Sequence, residues 1–146
     1  VVICASLFQL QEVWMILMVA FASVIGHNWT VFLQFKGGKG IATSLGALIG
    51  LTIIIQSIRI VVLLTVLAWI GCFFVTRIVS IASIFASVML PLLMIATNQA
   101  LEFVVLGILL CIFVVVRHKA NIGRLFKGQE PQVNFNIFRS SKDKKT

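Results

Sequence analysis

IVVLLTVLAWIGCFFV (residues 60–75) and VSIASIFASVMLPLLMI (residues 79–95) are separated only by Thr76-Arg77-Ile78. Neither run carries a charge. Three residues are too few to build anything but a turn between them, and water cannot hold so much apolar surface in one piece. In lipid, each backbone N–H and C=O must find its partner inside its own segment, which selects helices. Three further apolar runs extend the pattern on both sides: Val13–Ile25, Ile41–Ile55 and Ala100–Val116. Several are shorter than the roughly 20 residues that span a hydrocarbon core. The polar breaks between them are brief, so the helices are expected to borrow polar residues at their ends. The fold class is all-α: a polytopic integral membrane protein with about five complete transmembrane helices, a partial N-terminal one and an amphipathic interfacial C-terminal segment.

Composition agrees. The 146 residues are 60% hydrophobic and 11% charged, and mean hydropathy is +1.12. A soluble domain needs a far more charged surface. Val1 opens inside an apolar run with no basic residues before it, which predicts a chain cut within a transmembrane helix rather than a signal peptide. Residues 1–130 read as one transmembrane domain and 131–146 as a basic, disordered tail. Cys4, Cys72 and Cys111 sit singly in apolar runs, without C-x-x-C or His-paired spacing, and read as small buried hydrophobes.

Assigning the polar breaks alternately to the two membrane faces sorts the charges. One face receives Lys36, Lys39, Arg77, Arg117, Lys119, Arg124, Lys127, Arg139, Lys142, Lys144 and Lys145, eleven of the twelve basic residues; the other receives only Arg59, with Glu12 and Glu102. The positive-inside rule makes the basic face cytoplasmic. The net charge of +8 is thus mostly topological, and no nucleic-acid partner is expected because no soluble domain presents it.

Three polar constellations share that face. Lys36-Gly37-Gly38-Lys39-Gly40 precedes the apolar run at Ile41. Glycines let successive N–H groups converge, lysine adds charge, and a following helix N-terminus favours an anion. A Walker loop requires a glycine where Leu33 stands and Ser or Thr where Gly40 stands, so nucleotide binding is excluded. The other reading of the loop is lysines snorkelling to lipid headgroups. His27 and His118 lack an Asp five residues on, which excludes the H-x-x-x-x-D acyltransferase mechanism. His27 reads as an orienting, hydrogen-bonding residue, and no metal site is indicated. Thr76, Ser80, Ser83 and Ser87 fall at i, i+4, i+7 and i+11, one face of a helix expected to start near Thr76, with Arg77 at its mouth. Packing is the alternative reading of these hydroxyls, and the one preferred for Ser87. Arg117, Asn121 and Arg124 form a polar stripe on the extended last helix, ending at Glu130; Asn121 and Glu130 add nothing to membrane adhesion.

These blocks resemble a known family, the membrane-embedded acyl-phosphate:glycerol-3-phosphate acyltransferases of bacteria (the PlsY family). Gly26–Thr43 is similar to its G-H-x-(F/W)-P-x-F-x-x-F-K-G-G-K-G-(V/I)-A-T motif, Thr76–Ile84 to T-R-x-x-S-x-x-S-(I/L), and Arg117–Glu130 to R-H-x-x-N-I-x-R-L-x-x-G-x-E. Thr30 stands where the family has proline, and the family's earlier S-x-N-x-G-x-T-N-x-x-R string is absent. The resemblance implies transfer of a fatty acyl group from acyl phosphate to the 1-hydroxyl of glycerol 3-phosphate, giving lysophosphatidate and phosphate, without a cofactor. It implies catalytic roles for His27, Ser80 and Asn121. It implies substrate binding by Lys36, Gly37, Gly38, Lys39, Gly40, Thr43, Arg77, Ser83, Arg117, Arg124 and Glu130. The reading from another class is a transporter or channel for a phosphate-bearing solute, which favours mid-membrane polar residues and an internal repeat.

Overall fold

The computed structural model describes residues 1–8, 12–28 and 38–134. Lys36 and Gly37 of the glycine loop, Thr30, and tail residues 135–146 lie outside the described residues, as does the side chain of Cys4. The helices are α1 (Val2–Leu7), α2 (Val13–Asn28), α3 (Ile41–Ile54), α4 (Arg59–Thr76), α5 (Val79–Ala96), α6 (Leu101–Arg117) and α7 (Lys119–Phe126), with a 3₁₀ turn at Gln56–Ile58. No strand occurs among the described residues.

Every expected apolar run is a helix, and the helices differ in length. Gln56–Thr76 (21 residues) and Val79–Ala96 (18 residues) are long and apolar enough to cross a membrane, and α6 joins them if it is counted with α7 across a 57° bend. Helices α2 and α3 have 16 and 14 residues. At about 1.5 Å per residue they fall short of a hydrocarbon core of about 30 Å.

Short links make α4–α5 and α5–α6 antiparallel neighbours, while α6 also packs on α2 and α2 on α3. The core joins Leu17, Ala20 and Val24 of α2 to Leu48 and Leu51 of α3, Leu90 and Met94 of α5, and Leu106 and Leu110 of α6. Helix α4 is peripheral. It buries Val61 and Val62, while Leu63, Leu67 and Phe74 are 53%, 52% and 64% exposed, as suits side chains that meet lipid. Cys72 and Cys111 are half-buried rather than buried, and both are free.

Small residues set the α5–α6 distance. Pro91 lies inside α5 and is buried. A Cβ added to Gly107 of α6 would stand 2.8 Å from Met94 Sδ and 3.4 Å from Pro91 Cα. Gly107→Val should therefore overpack this contact at a cost of about 1–3 kcal/mol. Thermal unfolding in detergent should show a midpoint lowered by several degrees. Gly71→Ala, where an added Cβ meets nothing within 4 Å, should leave it unchanged.

Candidate active site

Five helix ends meet at one end of the bundle: the C-termini of α2, α4 and α6 and the N-termini of α3 and α5. At this end lies a cavity of about 540 Å³ lined by His27, Lys39, Gly40, Ile41, Ala42, Val79, Ser80, Ser83, His118, Asn121, Arg124 and Glu130–Val133. Helix α3 starts at this cavity. Its N-cap is Gly40, no side chain caps it, and no acidic residue occupies its first turn. Its leading N–H groups are therefore available to an anion, with Lys39 beside them.

Gly40 has φ 75°, the left-handed region that favours glycine. A Cβ there would overlap the Asn28 side-chain amide. Asn28 is fully buried, and its Nδ2 donates to Val24 O at 2.9 Å. The end of α2 thus supports the glycine turn from below. Above it, Arg117 Nη2 donates to Gly38 O at 2.9 Å, tying the loop to the end of α6. His27 lies against Gly38, its Nε2 3.2 Å from where a Cβ would be.

The opposite wall is an acid–amide–guanidinium cluster. Asn121 Nδ2 donates to Glu130 Oε1, and Arg124 Nε donates to Glu130 Oε2 at 2.8 Å. The Asn121 hydrogen bond, helped by the nearby Ser80 hydroxyl and by Arg124, lowers the Glu130 pKa from 4.5 to about 2. Ser80 Oγ is near enough for that effect, yet it makes no hydrogen bond of normal geometry and is buried. His118, 1% exposed, places Nδ1 2.8 Å from Val114 O. A carbonyl only accepts, so Nδ1 carries the proton and Nε2 is an acceptor in the neutral ring. Burial pushes the His118 pKa below 6.5, and Lys39 adds to that, against the Val114 carbonyl and Glu130.

Both shifts favour the folded state at neutral pH. Between its lowered pKa and 6.5, His118 binds more proton unfolded than folded, so its contribution is lost as pH falls below 6.5. The Glu130 contribution is complete above 4.5 and is lost as pH falls from 4.5 to about 2. Glu130→Gln should erase the second phase of a melting-temperature profile and spare the first. Its amide can accept from Asn121 or Arg124 but must turn a donor towards the other.

A family model described as glycerol-3-phosphate acyltransferase matches residues 1–128. The chain belongs to that family. A glycerol-3-phosphate acyltransferase of Gloeobacter violaceus is 43% identical over 121 residues, covering 82% of this chain and 56% of that protein. One from Rippkaea orientalis is 40% identical over 120 residues, 82% of this chain and 52% of that protein. The chain therefore spans a little over half the length of these relatives. Crystal structures of PlsY (YgiH), an integral membrane glycerol 3-phosphate acyltransferase, superpose with TM-scores of 0.78 in the glycerol 3-phosphate form and 0.77 in the lysophosphatidic acid form. Both are 32% identical and cover 91% of this chain, which takes in 63% and 64% of those chains respectively. With its apolar helices, this acyltransferase-family chain is a multi-pass membrane protein.

Of the residues singled out in the sequence of this family member, His27, Lys39, Gly40, Ser80, Ser83, Asn121, Arg124 and Glu130 line one cavity. Gly38 and Arg117 hold its rim. Thr43 and Arg77 are not among the lining residues. Thr76 is corrected from the serine helix to the end of α4, because the chain breaks at Arg77, whose φ is 56°. The Arg77 N–H caps α4 at Phe73 O, and its C=O accepts from Val133 N–H at 2.8 Å. Its backbone thereby pins Val133, and Pro131, Gln132 and Val133 line the cavity. The Arg117–Asn121–Arg124 stripe is likewise interrupted by the bend at His118. That bend turns Asn121 and Arg124 into the cavity.

Two residues escaped the sequence reading. His118 was set aside for lacking a distant Asp, although its i, i+3 spacing to Asn121 places both on one helical face. Asn28 carries only a positional signal, adjacent to His27 and ahead of the loop. Among the described residues, no three His, Cys, Asp or Glu side chains come together as metal ligands.

Behind the polar cavity lies an apolar one of about 370 Å³ between α3, α4, α5 and α6, walled by Leu45, Leu48, Val66, Trp69, Ala86, Leu90, Leu110 and Val114 among others. Ile41, Ala42 and Ser83 line both cavities.

Proposed function

We propose that this site transfers a fatty acyl group from acyl phosphate to the 1-hydroxyl of glycerol 3-phosphate, giving lysophosphatidate and phosphate. One observation carries the reading: a cation-lined polar cavity shares a wall with an apolar cavity. An acyl phosphate has that polarity, with its anhydride at the seam and its chain among Leu48, Leu90 and Leu110. Lys39 and the α3 N-terminus hold the donor phosphate, as Lys36 and Gly37 do from the rest of the loop. Arg124, Asn121 and Glu130 receive glycerol 3-phosphate, the cation taking charge and the carboxylate accepting from a hydroxyl. Arg77 and Arg117 serve from the rim, and Thr43 from the first turn of α3.

The 1-hydroxyl oxygen attacks the acyl carbonyl carbon, a C–O bond forms, and the bond from that carbon to the phosphate oxygen breaks. The hydroxyl proton leaves with the departing phosphate. Among the described residues that line the cavity, neither Ser80 nor Ser83 hydrogen-bonds a histidine, which favours direct transfer over an acyl-enzyme. Ser80, Ser83, His27 and His118 orient hydroxyl and carbonyl groups. The basic end of the bundle faces the cytoplasm, by the excess of Lys and Arg there. The test supplies acyl phosphate and glycerol 3-phosphate to the full-length protein in bilayers. Stoichiometric release of phosphate and lysophosphatidate is expected, and no product from wild type would overturn the assignment.

A further inference from the structure

Hydroxyls in apolar helices usually donate backwards to their own backbone. Here Ser23, Thr52, Thr65, Thr76, Ser87 and Thr97 each donate to a carbonyl three or four residues earlier. Ser83 does not. Among the described residues its one hydrogen bond is received, from Trp69 Nε1 at 3.2 Å. An indole N–H only donates, so Ser83 Oγ is compelled to accept there, and its own proton stays uncommitted. Ser83 is 2% exposed. It lies on the wall common to the polar and apolar cavities. The indole is itself fixed, stacked on Phe73 with centroids 5.2 Å apart and planes 12° from parallel.

We propose that Trp69 is a positioning residue: by holding Ser83 Oγ as an acceptor, it commits the Ser83 proton to the carbonyl oxygen of the acyl donor. The proposal rests on the acyl-transfer reading. As the hydroxyl attacks, negative charge grows on that oxygen and strengthens the bond from Ser83. The bond from Trp69 polarises the Ser83 O–H in the same direction. Without the indole N–H, Ser83 is expected to turn back to its own helix, as Ser87 does one turn further on.

Trp69→Phe keeps an aromatic ring against Phe73 and removes the N–H. In the full-length protein, kcat should fall by about tenfold, the effect of one hydrogen bond, with KM for acyl phosphate unchanged within about twofold. Trp69→Phe added to Ser83→Ala should cost nothing further. A wild-type rate for Trp69→Phe, or a fully additive double mutant, overturns the proposal while the acyl-transfer reading stands. A second measurement needs no turnover and survives failure of that reading. The ¹⁵N-indole resonance missing from Trp69→Phe should shift in Ser83→Ala and stay in place in Ser23→Ala. An unshifted resonance overturns the hydrogen bond itself.

Discussion

Gly40→Ala should reduce acyl transfer by at least about 100-fold and lower the melting temperature as well. Two independent constraints meet at this residue. Its φ of 75° is left-handed, which costs an L-residue roughly 1–2 kcal/mol. The new Cβ would also occupy the place of the Asn28 amide. That amide cannot step aside, because it is fully buried and bonded to Val24 O. The turn must then open, carrying Lys39 and the start of α3 away from the cavity. Adding Asn28→Ala makes room for the methyl but leaves the dihedral strain, so the double mutant should recover part of the lost stability and little of the rate. Circular-dichroism melts and phosphate-release assays on the two variants measure each half. A Gly40→Ala protein with the stability and rate of wild type would show that the turn is not required.

Lys39→Ala leaves the fold in place and removes charge from the phosphate site. We expect kcat/KM for acyl phosphate to fall by roughly 100-fold, the scale for losing one charged donor to a developing anion. Lys39→Arg should retain a fraction of activity, since a guanidinium supplies charge in a different shape. Lys119→Ala, an exposed lysine outside the cavity, should stay within twofold of wild type. If Lys39→Ala and Lys119→Ala behave alike, the lysine serves the membrane surface rather than the substrate.

Helix placement was legible because lipid imposes a simple requirement. Uncharged runs such as Ile60–Val75 must satisfy their own backbones, so their positions follow from hydropathy. Helix lengths were less legible. Asn28 lies beyond the apolar run of α2 but remains helical, whereas α3 stops at Ile54 because Ile55 is extended ahead of the 3₁₀ turn. Spacing on a single helix also misled. Thr76 shares a face with Ser80 only if the helix runs through residue 77, and the left-handed Arg77 breaks it there.

The sequence by itself determined the fold class, the common face of the polar blocks and the family, because alternating apolar runs, charge asymmetry and contiguous motifs are properties of order along the chain. Only the tertiary structure decided which polar residues share a cavity. That depended on the 57° bend at His118, on Val133 bonding to the Arg77 backbone, and on Trp69 reaching Ser83 from another helix. The last two are contacts between residues whose separation in sequence carries no period, and so no local pattern records them.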